Sequence, residues 1–206
     1  MSATVYKSAL LFGAPGVGKG TQGEILGSIP GFHHFSMGDA FRNLDPESDL
    51  AKEVRTYSSK GELVPDPITI KLWNQDVADR VLAGKYNPAT ELLLLDGIPR
   101  NTDQADLLAD SLDVLAVIHL TTKDQNALFE RLAKRALKQG RADDAKQDVI
   151  KRRWDIYQDE TQPVLAKYPK KIVHDLDAMG TPAEVLGKVL DVLAPIQAQG
   201  FGSALG

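Results

Sequence analysis

The 206-residue chain has no cysteine, which rules out both a disulfide framework and a thiolate metal site. Its four histidines, His33, His34, His119 and His174, are too scattered to suggest a metal cluster. Basic excess is missing as well. Twenty-eight acidic against 24 basic side chains leave a formal charge of −4, and a general nucleic-acid surface would need a concentrated positive field. No apolar run approaches the roughly 20 residues that span a bilayer. The short run after Lys7 leads into a glycine loop, which is not the pattern of a secretory signal. Internal repeats and low-complexity stretches are also lacking. We therefore expect a soluble, cytoplasmic protein with no nucleic-acid and no membrane partner. At 43% hydrophobic and 25% charged residues, it suits one α/β domain with small insertions and a core that needs no staples.

The densest signal lies near the N-terminus. An apolar run over Tyr6–Phe12 reads as a buried strand, and it breaks into Gly13-Ala14-Pro15-Gly16-Val17-Gly18-Lys19-Gly20-Thr21. Such a loop wraps backbone N–H groups around phosphates, the following helix (Lys19–Ser28) adds the positive end of its dipole, and Lys19 brings a mobile cation to the outer phosphates. Gly20 stands where the general P-loop pattern has Ser or Thr, so the usual hydroxyl ligand for magnesium is missing.

Further apolar runs at 91–96 and 114–120 read as central strands buried on both faces, and Ile172–His174 is a weaker candidate. Helical periodicity separates them, with Ile70, Trp73, Val77 and Val81 in one segment and Ile150, Trp154 and Tyr157 in another. Thr181-Pro182 starts a last helix carrying Val185, Leu186, Val189 and Leu190 on one side, and the chain beyond Pro195 is expected to fray. This alternation predicts a doubly wound α/β core.

Asp96 closes the Leu92–Leu95 strand, at the carboxyl end where α/β proteins bind ligands, and it is suited to anchoring Mg²⁺ through water. The turn Gly97-Ile98-Pro99 then presents Arg100, whose planar fork matches a phosphate. Cations gather again over 131–152. Arg131 and Arg135 share a helix face, Arg141 precedes Asp143-Asp144 at a helix start, and Arg152 lies two turns further on.

Taken together, the Gly13–Gln22 loop, Ser36–Arg42, Asp96–Arg100 with Gln104, and Gly140–Asp144 resemble the adenylate kinase family of nucleoside monophosphate kinases in order and spacing, over roughly residues 6 to 190. Gly20 is that family's ordinary residue. The resemblance implies a P-loop three-layer fold with a central parallel β-sheet, as one domain. Its core would take about 1–35, 87–130 and 153–206, with an AMP-binding helical insertion over 36–86 and a short lid over 131–152. It further implies Mg²⁺ with ATP, no structural zinc, a monomer, and ATP, AMP and ADP as partners.

By position, Gly16, Val17, Gly18, Lys19, Gly20, Thr21, Arg131, Arg135 and the backbone of Gly180 would bind ATP. Met37, Arg42, Gly97, Ile98, Pro99 and Arg100 would meet AMP, with Glu62, Leu63, Val64 and Gln104 around its base. Arg141 and Arg152 would bridge both nucleotides, and Lys19, Arg100, Arg135, Arg141 and Arg152 would carry the catalysis. Met37 replaces a common Thr. Gln104 favours adenine, whereas Asn101 resembles the pyrimidine kinases, so a UMP/CMP kinase remains the alternative. A nucleotide switch is disfavoured, because it needs no second phosphate clamp.

Overall fold

The computed structural model describes residues 4–139 and 146–202. Its centre is a sheet of five strands in the order β2-β3-β1-β4-β5, every described pairing parallel: β1 (Tyr6–Gly13), β2 (Phe32–Ser36), β3 (Leu92–Asp96), β4 (Leu112–Thr121) and β5 (Val173–Asp177). Parallel strands need crossovers, and helices supply them on both faces. The four leucines of β3 show the consequence. Leu92 and Leu94 join a cluster with Leu11, Leu26, Ile118, Val185 and Val189, while Leu93 and Leu95 join another with Leu10, Trp73, Val77 and Val117. All four are fully buried, so the run is continuously apolar with no polar alternation.

One strand was not expected from the sequence, and one expectation needs correction. Phe32–Ser36 is strand β2, although its sequence, Phe-His-His-Phe-Ser, has no apolar run to reveal it. It forms because β3 offers a free edge, and Phe32↔Leu92 through Ser36↔Asp96 pair in register. Residues 196–201 do not fray. Helix α8 (Pro182–Phe201) runs through the proline, buries Leu193 and Gln197, and is tied down at its end, where Lys7 Nζ donates to the Gly200 carbonyl at 2.7 Å and lies 5.0 Å over the Phe201 ring. Tertiary anchoring thus outweighs the hydrogen bond that Pro195 removes.

The other helices are α1 (Lys19–Leu26), α2 (Met37–Arg42), α3 (Asp49–Ser58), α4 (Asp66–Leu82), α5 (Thr102–Leu108), α6 (Gln125–Gln139) and α7 (Gln147–Ile156). Helices α2 to α4 lie between β2 and β3 and make up the expected insertion, here the inserted segment. Ser36 and Ser48 cap α2 and α3 through their hydroxyls, which fixes where each starts. The expected lid stretch comprises the end of α6 and the start of α7. Gly140, Arg141 and the expected helix start at Asp143-Asp144 lie outside the described residues, as does the Arg135 side chain.

Helix α1 lies close on β2 because Gly23 and Gly27 leave room for His34. A Cβ at Gly23 would overlap the His34 imidazole, and one at Gly27 would come within 2.8 Å of His34 Cβ. Gly23→Ala sets two effects against each other. Helix propensity favours alanine by about 1 kcal/mol, and overpacking costs about 1–3 kcal/mol. We expect overpacking to win and urea unfolding to show a less stable protein. A stabilised Gly23→Ala protein would disprove this packing.

Candidate active site

The strand register places the chemistry. Leu11 pairs with Asp96, Ser36 also pairs with Asp96, and Gly13 pairs with Leu120, so the glycine loop, Asp96 and the start of α2 meet at the carboxyl edge of the sheet. Gly13, Gly16 and Gly18 all hold positive φ, at 141°, 83° and 113°, which only glycine adopts without strain. Gly16 has a second constraint, since a Cβ there would lie 2.8 Å from the Leu128 carbonyl of α6. Lys19 Nζ donates to the loop's own carbonyls, at 2.7 Å to Gly13 and 3.2 Å to Ala14. The ammonium is therefore held over the cradle before any phosphate arrives.

A cleft of about 620 Å³ opens here. Its floor is the loop from Gly13 to Gln22 with Asp96 and Gly97, and α2 contributes Met37, Gly38, Asp39, Phe41 and Arg42. Pro99 and Arg100 follow β3, with the Ile98–Pro99 peptide cis. Arg131 and Lys134 reach in from α6, and Arg153 and Tyr157 from the end of α7. Ala178, Gly180 and Pro182 close the far side, next to a capping box in which Thr181 and Glu184 satisfy the start of α8. Acid and base thus converge although the whole chain is acidic.

Most expected site residues meet in this cleft: Gly16 to Thr21, Met37, Arg42, Asp96, Gly97, Pro99, Arg100, Arg131 and Gly180. Met37 is 1% exposed, packed where a hydroxyl was the expected alternative. Arg42 folds over Gly38 and pairs with Asp39 at 2.6 Å. Glu62, Leu63, Val64, Ile98 and Gln104 are not on the cleft wall. Val64, Ile98 and Gln104 are buried behind it.

Arg152 is displaced. It is exposed on α7 and absent from the wall, whereas its neighbour Arg153 is half-buried and on the wall. The physical reason is the helical face. Val149, Arg153 and Tyr157 are four apart, and Val149 and Tyr157 are buried, so the side facing inward carries 153 and leaves 152 in solvent. That spacing of four to Tyr157 was the legible signal. Gly61, at φ 75°, packs on the same face, where an added Cβ would meet the Val149 carbonyl at 2.9 Å and Arg153 Cγ at 3.2 Å. The inserted segment therefore touches α7 beside this arginine. Lys134, Tyr157 and Thr161 also line the cleft without a sequence motif to announce them, and Asp39 does so from within the Ser36–Arg42 motif.

The electrostatics suit an anion. Burial, and then the like charge of Arg153, lower the Arg100 guanidinium to about 10, with Asp96 and Glu160 acting in the opposite sense. It remains protonated at neutral pH, so two cations share a partly buried space that a phosphate would relieve. Gly20 faces Asp96, and a Cβ there would lie 3.6 Å from Asp96 Oδ2. The carboxylate thus occupies the side of the loop where a P-loop hydroxyl would project. No cluster of three or more His, Asp or Glu side chains capable of holding a metal occurs among the described residues. The Asp96 carboxylate beside the loop fits holding, through water, a magnesium ion carried in by nucleotide phosphates.

Comparison with known proteins bears on the same residues. A family model described as adenylate kinase matches residues 11–173. The chain is similar to proteins named adenylate kinase from Pseudarthrobacter chlorophenolicus (37% identical over 195 residues, 92% of this chain and 97% of the relative) and Flavobacterium psychrophilum (36% over 191, 89% and 96%). It is likewise similar to one from Mycobacteroides abscessus, at 34% identity over 185 residues, 89% of this chain and 97% of the relative.

Proposed function

The chain belongs to the adenylate kinase family and is a nucleoside monophosphate kinase, and from that premise we propose how its cleft transfers the γ-phosphoryl group of ATP to AMP. The bond from the γ-phosphorus to the β,γ-bridging oxygen breaks, one from the γ-phosphorus to an AMP phosphate oxygen forms, and two ADP result. No side chain needs to bond covalently, because in-line positioning and charge neutralisation supply the catalysis. The loop N–H groups and Lys19 hold the ATP phosphates, Arg131 and Lys134 approach from α6, and Arg42 and Arg100 hold the AMP phosphate. Arg153, between Arg100 and the inserted segment, takes the bridging role expected of Arg152. When bound with ATP, Mg²⁺ supplies positive charge to the phosphates, with Asp96 the residue that would hold its water. A 131–152 lid that excludes water, a 36–86 AMP-binding insertion, a monomer and a cytoplasmic setting belong to the same reading and rest on the family.

The observation that carries it is the meeting of a phosphate loop with a second, separate arginine cluster at one sheet edge. One phosphate site needs only the loop, and two clusters imply two nucleotides.

For the base, adenine is favoured. Gln104 Oε1 accepts the Arg100 N–H at 2.7 Å and Nε2 donates to Asp66 Oδ1 at 2.8 Å, which fixes the amide. Asn101, the residue suggestive of pyrimidine kinases, is engaged in the same way, so neither amide singles out a base and the preference for adenine rests on the family. The Asn101 oxygen caps α5 by accepting from Gln104 N–H at 2.7 Å, and its nitrogen donates to Asp66 at 3.0 Å. Initial rates with AMP, CMP and UMP at fixed Mg-ATP test this. We expect AMP to be preferred by at least about tenfold in kcat/KM. Equal or faster turnover of CMP or UMP would refute it.

A further inference from the structure

His119 lies near the end of β4, is 7% exposed, and takes no part in the cleft wall. Both ring nitrogens are nevertheless engaged. Nδ1 is 2.6 Å from Asp175 Oδ1 and Nε2 is 2.8 Å from the Tyr157 hydroxyl. Histidine 119 and Asp175 are register partners on β4 and β5, which puts both side chains on the same face of the sheet. A carboxylate can only accept, so Nδ1 carries the proton, and when the ring is neutral Nε2 accepts the Tyr157 O–H. In that form the donors run tyrosine to histidine, histidine to aspartate.

Tyr157 joins this relay to the cleft. It opens the π-helical turn 157–161 that follows α7, it lines the cleft, and Arg153 stands one turn before it. Four residues later, Thr161 Oγ1 donates to the Arg100 carbonyl at 2.7 Å. The segment from Arg153 to Thr161 is thus fastened at two points, to β4 and β5 through His119 and to the AMP-side turn through Thr161. Backbone hydrogen bonds along α7 hold the helix together but do not choose which way it faces. The buried face of Val149 and Tyr157 chooses it, and the two fastenings hold it there.

We propose that His119 is a positioning residue for phosphoryl transfer, holding Tyr157 from within the sheet so that Arg153 faces the transferring group. This rests on the role given to Arg153 above. A buried histidine that merely satisfies its hydrogen bonds would support stability alike with and without Arg153. A positioning residue acts only through it.

The test is a kinetic cycle on the full chain. His119→Phe preserves a ring but breaks both links, and we expect kcat to fall about tenfold or more, as when a supporting hydrogen bond to a reacting group is lost. KM for both nucleotides should change by less than about threefold, because the interaction is made in the transition state. Tyr157→Phe, which removes one oxygen, should reproduce the effect and covers the case in which His119→Phe does not fold. In an Arg153→Ala background, His119→Phe should change kcat by less than about twofold. A wild-type kcat in His119→Phe, or its full effect persisting without Arg153, overturns the proposal.

If the wild-type protein makes no ADP from ATP and AMP, the functional reading fails separately. Imidazole ¹⁵N spectra, with His119 assigned by its loss in the variant, then decide the relay. A neutral ring protonated on Nδ1 with Nε2 accepting upholds it, and protonation on Nε2 overturns it.

Discussion

Lys19→Met should lower kcat by about 10³-fold while the protein stays folded, on the scale of losing one preorganised charge from a transferring phosphoryl group. Methionine keeps the length and most of the volume of lysine, so the loop is not asked to repack. What it lacks is the ammonium that now donates to the Gly13 and Ala14 carbonyls, and these can turn to water at an open cleft. Loop shape is set by the three positive-φ glycines, which the substitution leaves alone. Steady-state ADP formation together with a thermal melt checks both halves. Near-normal turnover would end the role assigned to Lys19, and a collapsed melt would show that the lysine holds the loop and does not merely charge it.

The second large effect is a contrast between neighbours. Arg153→Ala should reduce kcat by about 10²–10³-fold, because it removes a charge from the inward face of α7 beside Arg100, the sort of arginine contribution known in phosphoryl transfer. Arg152→Ala, one residue away but in solvent, should stay within about threefold, since exposed charges contribute little. Both variants have the same net charge, so a difference between them cannot come from long-range field. Equal losses would refute the helical-face argument, and a larger loss at Arg152 would restore the assignment that the resemblance implies. Removing Arg153 also removes the like charge that, after burial, depresses Arg100, and Arg100 should become more basic as a result. That change leaves it protonated at neutral pH in either protein, so it does not confound the rate comparison.

How legible the site was depended on whether its residues carried a local pattern. The phosphate loop was fully legible, because glycine placement, Lys19 and the following helix are all local. Asp96 and Arg100 were legible from an apolar run with a turn after it. Strand β2 was not, since its two histidines interrupt the run and its pairing partner lies about 60 residues away at Leu92. Helix α8 beyond Pro195 failed for a similar reason. Proline signals an end, and the contacts that override it come from Lys7 at the other terminus.

By itself the sequence determined the chemistry available: a phosphate-loop pattern at Gly13–Thr21, an acid at the end of β3, cations gathered over 131–152 in an acidic chain, and the alternation that makes a parallel sheet. These follow from periods and spacings that act over one turn or one strand. Only the tertiary structure decided which of two adjacent arginines faces the cleft, that Asp96 stands across from the gap left by Gly20, and that a histidine in the fourth strand reaches Tyr157 at the cleft wall. Each of those depends on which face of an element is buried against another, and burial is settled by the packing of distant segments, not by the local chain.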